Sequence, residues 1–406
     1  MADVVVVGAG PAGLAAASRA AESGAAVTII DDNMRPGGQI WRGAAAEAER
    51  WLLGKPRAKV RWIFGARVFD ALGLGCIAVE FADHTVEEIE YGNLILATGA
   101  RERFLPFPGW TLPNVIGAGG LQALAKSGFP VEGKRVVVAG SGPLLLAVAS
   151  YLLKHGAGVR LIAEQTTLAH LLRFSLALVR YPAKASQAAR LRASLRGIPC
   201  RAGCWPVAAH GSEKLEGVTL RLGSRTWTEP CDYLACGFGL VPNTELAALL
   251  GCRIDEAIVV NEYQQTSVSG IYCAGEATGI GGLELSLVEG EIAGFAAAGR
   301  ENEARRRFAE RARCQRFAAA LEKAFVLRPD LRALPHDDTF LCRCEDVTWA
   351  HVRSCQNWRE AKLHTRCGMG PCQGRVCGAA AEFLLGWKTE SVRPPVFPVR
   401  IGSLLR

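Results

Sequence analysis

The stretch Val4-Val5-Val6-Val7-Gly8-Ala9-Gly10-Pro11-Ala12-Gly13 reads as a strand that runs through a glycine turn into a helix. Four consecutive β-branched residues suit a strand buried on both faces of a parallel sheet. Gly8 permits the tight turn, Gly10 lets a pyrophosphate approach the backbone, and Gly13 lets the next helix pack against the strand. The Ala-rich stretch Leu14–Glu22 is that helix, Gly24 ends it, and Val27–Ile30 forms the next strand, closing at Asp31-Asp32. Asp31 stands 23 residues after Gly8, where a carboxylate can accept hydrogen bonds from both ribose hydroxyls of a dinucleotide. The helix N-terminus, with its unpaired N–H groups and positive dipole end, then faces the phosphates. Gly8, Gly10, Pro11, Ala12, Gly13, Asp31 and Asp32 are therefore the first candidate binding residues.

A similar unit recurs about 130 residues later. Val136–Val138 runs into Gly140-Ser141-Gly142-Pro143-Leu144-Leu145, a helix extends to about Lys154, and Val159–Ile162 is the following strand. Two such units predict an α/β protein with two doubly wound dinucleotide-binding domains. The second is degenerate. Leu145 replaces the third glycine, which should push the helix off the strand. The residue 23 places after Gly140 is Ala163, and Glu164 follows one place later, where it is expected to point away.

Composition bounds the remainder. The 406 residues are half apolar and 21% charged, which excludes a disordered chain and suggests two to three domains. Glycine, at 45 residues, is abundant and points to many tight turns. The net charge of +8 is mild, and the densest basic run, Arg300 to Arg316, is broken by Glu301, Glu303 and Glu310. It reads as a solvated helix face, and no nucleic acid is expected as a partner. The longest apolar runs, such as Leu144–Leu153, fall short of the ~18 residues of a membrane span. No basic leader precedes the first valines, so no signal peptide is expected, and a cytoplasmic location follows.

Six of the 14 cysteines lie after residue 340. In a reducing compartment such a cluster suits metal better than disulfides. Cys342-Arg343-Cys344 is followed, after 27 intervening residues, by Cys372 and then Cys377, with Cys367 just before. Four thiolates suit an iron–sulfur cluster. Structural zinc prefers pairs spaced two to four apart, which a Cys-x-Cys pair fits poorly. Five candidates compete for four positions. Cys200, Cys204, Cys231 and Cys236 read as buried or incidental thiols rather than a redox dithiol. No His/Asp/Ser constellation for acid–base or nucleophilic work stands out, so no catalytic residue is assigned.

Several segments beyond the first turn carry a resemblance. Arg35-Pro36-Gly37-Gly38-Gln39, the strand ending Ala97-Thr98-Gly99, and Gly270 to Glu276 together resemble the two-dinucleotide-domain flavoproteins. That resemblance implies FAD at the first site, with Gly38, Gln39, Ala97, Thr98, Gly99 and Gly275 near it. Glu276 would lie on the ribityl chain, at a position where the family more often has Asp. Phe340 to Val347 with Thr365 to Cys377 resembles a bacterioferritin-associated-ferredoxin (BFD-like) [2Fe–2S] domain. This is the form fused to alpha subunits of opine oxidases, hydrogen cyanide synthase and proline or hydroxyproline dehydrogenases. The pattern implies Cys342, Cys344, Cys372 and Cys377 as ligands, and Cys367 as the spare thiol. Pro106 to Val115 and the degraded second turn also fit this family.

The resemblance implies the following organisation: residues 1–115 and 249–300 as an FAD-binding domain in two parts, 116–248 as a degenerate NAD(P)-type domain, 301–335 as a linker helix, and 336–406 as the small BFD-like domain. It further implies an electron-relaying alpha subunit that serves a secondary-amine or amino-acid dehydrogenase working on opines, proline or hydroxyproline, or glycine. The substrate would be oxidised on an oxidase-like, FAD-containing beta subunit. A second partner would be a small ferredoxin-like gamma subunit. Some relatives suggest FMN at a subunit interface and ATP or another adenine nucleotide in the second domain. Two other readings stand beside it: a self-contained NAD(P)H-dependent FAD/iron–sulfur oxidoreductase, and a zinc-binding scaffold.

Overall fold

The valine run forms β1 (Ala2–Val7), which pairs in parallel with β2 (Val27–Asp31) on one side and β6 (Val86–Leu96) on the other. These contacts come from a computed structural model that describes residues 2–43, 47–48, 50–51, 60–388 and 392–405. β3 (Val60–Phe64) extends the sheet beyond β2, and the strand Ile271–Cys273 lies parallel to the second half of β6. The first half of β6 instead pairs antiparallel with β5 (Cys76–Phe81), which pairs with β4 (Ala66–Ala71). All five residues of β2 are buried, as expected of a strand covered on both faces. Helix α1 (Pro11–Glu22) covers one face with nine buried residues, seven of them apolar.

Against α1 lies the helix Leu283–Ala297. Gly290 and Gly294 face Ala12 and Ala16, and a Cβ on either glycine would lie 2.2 or 2.1 Å from the opposing carbonyl oxygen. The two helices can approach this closely only because both faces carry small residues. These elements belong to a first unit comprising Met1–Arg101, Val241–Ala319 and Glu390–Arg406. The C-terminal tail joins it through Val396 N–H to Phe69 O (2.8 Å) and Ser403 Oγ to Glu80 Oε1 (2.5 Å).

The second unit comprises Glu102–Leu240 and Ala320–Thr389. Its strands are β7 (Val115–Gly117), β8 (Arg135–Gly140), β9 (Gly158–Glu164), β10 (Cys200–Ala202), β11 (Cys204–His210), β12 (Gly217–Leu222), β13 (Arg225–Pro230) and β14 (Tyr233–Gly237). Five of them form a parallel sheet in the order β10-β9-β8-β14-β7, and β11-β12-β13 form an antiparallel one. Its helices include α2 (Ala118–Lys126), α3 (Leu144–Lys154), α4 (Leu168–Leu178) and α5 (Pro182–Ser194). The two doubly wound sheets expected from the repeated strand–turn–helix pattern are both present.

Residues 340–385 build a small module of the second unit. A hairpin of Phe340–Cys342 and Val347–Thr348 is followed by helices Trp349–Arg353, Trp358–Thr365 and Cys377–Leu385. Leu341, Val352, Trp358, Ala361 and Ala381 form its apolar core.

Candidate functional site

The first glycine turn is shaped by close backbone approach. A Cβ on Gly8 would lie 2.2 Å from Ala97 O, and one on Gly13 would lie 1.8 Å from Gly8 O. The same contact explains why Ala97, Thr98 and Gly99 stand beside the turn: Ala97 N–H donates to Val7 O at 2.8 Å. Thr98 is held by reciprocal bonds with Asn243, both 2.8 Å. Asp31 is buried at the end of β2, where its Oδ2 accepts from Ala9 N–H at 2.5 Å and its Oδ1 from Asn33. Asp32 is exposed and lies 3.5 Å from Arg67. The loop after it folds back: Gly37 N–H donates to Ala9 O at 2.8 Å, and a Cβ on Gly38 would stand 3.0 Å from Gly10 Cα. Gln39 at its end is exposed. Among the described residues, no side chain caps the N-terminus of α1 at Gly10. Its orphan N–H groups are left for an anion.

Gly275 and Glu276 lie on a 3₁₀ turn, Gly275–Thr278, that directly follows the strand Ile271–Cys273. Sequence reasoning missed the residue that fixes this turn. Glu289 is almost fully buried in helix 283–297, and its Oε2 accepts from Gly275 N–H and Thr278 Oγ1, both at 3.0 Å. Burial pushes its carboxyl up to about 7 despite these donors. Glu276 is also raised by burial, and it accepts from the Gly282 backbone. The sequence gives no clear signal for it, since Glu289 is one of three glutamates, with Glu284 and Glu291, on the same helix. The glycine turn, the buried Asp31 and the uncapped helix end fit the dinucleotide of a flavin.

The second turn differs. Gly140 is again indispensable, as a Cβ there would lie 1.8 Å from Gly237 O. The expectation that Glu164 points away is corrected by the strand register. A bulge between Val159 and Leu161 shifts β9 by one residue, so Gly140 faces Glu164, just as Val7 faces Ile30 one step before Gly8 and Asp31. Glu164 is buried, accepting from Gly142 N–H at 2.8 Å and Thr166 N–H at 2.9 Å, and burial raises its carboxyl. Leu145, where the first turn has Gly13, is buried in the same apolar cluster as Val136, Val138, Ile162 and Tyr233. The segment after residue 324 then lies along the turn. Ser141 Oγ donates to Phe325 O (3.3 Å), Gln165 Nε2 to Val326 O (3.2 Å) and Arg328 N–H to Gln165 Oε1 (3.1 Å). At α2, Glu102 accepts from Gly119 and Gly120 N–H at 2.7 and 2.9 Å.

The cysteines of the small module converge. The Sγ atoms of Cys342, Cys367 and Cys377, all buried, lie within 4.8 Å of one another. Cys372 hydrogen-bonds Cys377 and also Cys344, which is exposed at the edge. Cys367, the spare thiol of the resemblance, thus sits among the sulfurs rather than apart from them. Hydrogen bonds from Cys367 and Cys377 hold the Cys342 thiol far below its usual range, at about 2, and Cys377 lowers Cys372 to about 5. Gly370 permits the close packing, since a Cβ there would stand 2.4 Å from Cys344 Cβ. The same contacts push Cys367 and Cys377 up, and burial raises Cys344, so the thiols share their protons unevenly. Sulfur atoms gathered this closely suit a soft metal centre.

Comparison with known proteins places this geometry. Residues 2–301 match the model of the pyridine nucleotide-disulphide oxidoreductase family. The chain belongs to that family. It is therefore an oxidoreductase of the two-dinucleotide-domain type, and membership implies FAD. It is 34% identical to the HcnB component of hydrogen cyanide synthase from Pseudomonas protegens, over 92% of this chain and 89% of that one. It is 31% identical to an opine oxidase subunit of Rhizobium meliloti, over 99% and 87%. A crystal structure of L-proline dehydrogenase from P. horikoshii shares the fold, with a TM-score of 0.71 at 21% identity, over 100% of this chain and 79% of that one. Among the described residues, no helix is long and apolar enough to cross a membrane.

Proposed function

We propose that this oxidoreductase is the electron-transferring alpha subunit of a heteromeric flavoprotein dehydrogenase or oxidase acting on a secondary amine or amino acid. An opine, proline or hydroxyproline, or glycine is the substrate class. The observation that carries the reading is one chain with both a flavin-type glycine turn and a converged thiol cluster. Bound FAD takes electrons in pairs and a [2Fe–2S] cluster passes them singly, so a protein holding both is suited to relay them.

In this reading Gly8, Gly10, Pro11, Ala12 and Gly13 receive the pyrophosphate, and Asp31 receives the ribose. Asp32, Gly38, Gln39, Ala97, Thr98 and Gly99 line the cradle, and Gly275 and Glu276 face the ribityl chain. Cys342, Cys344, Cys372 and Cys377 ligate the cluster, with Cys367 packed beside them. Residues 1–115 and 249–300 then serve the flavin, 116–248 the degenerate domain, 301–335 the linker and 336–406 the cluster. The substrate is oxidised on an oxidase-like, FAD-containing beta subunit, while an interface FMN and a small ferredoxin-like gamma subunit complete the assembly. The second domain is read as structural, with ATP or another adenine nucleotide as the class of ligand it would take if it takes one. A reducing cytoplasm suits a thiol cluster of this kind.

Anaerobic purification tests this directly. The chain should be coloured, release FAD on denaturation, and carry iron and sulfide with an electron paramagnetic resonance signal on reduction. Cys342→Ser should lose the iron, whereas Cys367→Ser should retain it. A colourless zinc protein would sink the reading. Substrate oxidation should require the co-expressed beta subunit; oxidation by this chain alone, or rapid bleaching of its flavin by NADH, would replace it with a self-contained enzyme.

A further inference from the structure

The crossover between β9 and β10 is a pair of helices, α4 and α5, neither of which has a single buried residue. On α4, Leu168, Leu172 and Leu176 are 63%, 57% and 74% exposed, and Val179, just beyond, is 76% exposed. Spacings of four, four and three residues put all four on one helical face. The opposite side is already held: Phe174 packs edge-on against Phe325. A row of leucines facing water, on a helix whose other face is anchored, is unusual for a crossover and marks an interaction surface.

Charge identifies the occupant. Between Leu168 and Arg196 the hairpin carries six cations, Arg173, Arg180, Lys184, Arg190, Arg192 and Arg196, and no carboxylate. Arg173 and Arg180 are exposed next to the leucine row. A second copy of this chain would bring the same cations face to face, which is repulsive. The complement is a protein with an apolar groove rimmed by Asp and Glu. We infer that the α4–α5 hairpin is the docking element for the oxidase-like partner subunit, with the leucine row seated in an acidic-rimmed groove of that partner. This rests on the reading of the chain as a subunit of such an enzyme.

The test is co-expression of the full chain with the oxidase-like flavoprotein subunit, followed by titration of the purified proteins. Leu172→Glu/Leu176→Glu should weaken assembly by about 100-fold, as expected for core contacts of an interface. Arg173→Glu/Arg180→Glu should slow association about tenfold at low salt and little at high salt. Leu74→Glu, an equally exposed leucine of the first unit (76%), should change nothing. Retained flavin absorbance and melting temperature would show that the variants fold. If the native chain assembles and the hairpin variants assemble equally well, the docking inference is overturned while the subunit reading stands. If the native chain does not bind that subunit, both fall. Loss, in the leucine variant, of binding to phosphatidylglycerol vesicles or of a native homodimer would assign the row to lipid or to a second copy instead, overturning the inference.

Discussion

At Gly8 and at Gly140 the chain makes the same bend, and in both a Cβ would strike the backbone of a neighbouring strand, 2.2 Å from Ala97 O and 1.8 Å from Gly237 O. In both, a buried carboxylate at the end of the next strand accepts from a backbone N–H of the turn, Asp31 from Ala9 and Glu164 from Gly142. The turns part at the next step. Beyond Gly10 the helix closes onto the strand through Gly13. Beyond Gly142 the matching position is Leu145, buried in the apolar core, while Ser141 and Gln165 bond the chain's own segment from Phe325 to Arg328. The N–H groups at α2 are likewise taken by Glu102. Among the described residues, neither helix N-terminus carries a side-chain cap. What separates the two bends is the second one's contact with the chain's own segment 325–328, which gives it an architectural part.

The largest expected effect separates these roles at the first glycine. Gly8→Val should abolish FAD retention, because backbone must move to admit the side chain and φ is +107°. Gly140→Val should also damage folding, but any protein that folds should keep its flavin. Absorbance at the flavin band per folded chain measures the difference; equal flavin loss in both would break the contrast. Next in size is the acid pair. Asp31→Asn should weaken FAD by about 10- to 100-fold, the range of a hydrogen bond to a charged group. Glu164→Gln should leave FAD affinity unchanged.

Much of this was legible in the sequence. The valine run, the glycine spacing and Asp31 define the first turn from residue order alone, and Leu145 marks the second as altered. The position of Glu164 was not legible. A bulge adds one residue to a strand without changing its composition, so counting from Gly140 gave Ala163 where register gives Glu164. Glu102 and Glu289 escaped because their partners are backbone N–H groups 17 and 14 residues away, which no local pattern encodes. Cys367 was set aside because resemblance supplied four ligands. The fold puts its sulfur with Cys342 and Cys377, since the turn after helix Trp358–Thr365 carries it inward.

A pH effect sharpens the comparison at the flavin side. The Glu289 carboxyl lies at about 7 in the folded protein against an ordinary value of 4.5, with burial as the main cause. The folded state therefore favours its protonated form. That stabilising contribution is complete below pH 4.5 and is lost as pH rises through 7, a change of about 3 kcal/mol at most. Glu289→Gln keeps an acceptor for Gly275 and Thr278 but cannot ionise. Urea midpoints at pH 5 and pH 8 should lie closer together in this variant than in the native chain; an unchanged gap would mean that Glu289 stays ionised throughout.

The smallest effect is expected at Gly142, and it decides whether the second turn is architectural. Its φ is +103°, yet a Cβ there would find no atom within 4 Å. Gly142→Ala therefore meets only the backbone penalty of a left-handed conformation, about 1–2 kcal/mol. Its N–H still donates to Glu164, so the carboxylate keeps its partner. The melting temperature should fall by a few degrees, while flavin content and reduced-state iron signals stay at native levels. A Gly142→Ala protein of native stability that had lost a bound nucleotide would reverse the assignment, because only an outside ligand pressed against that backbone would then explain the glycine.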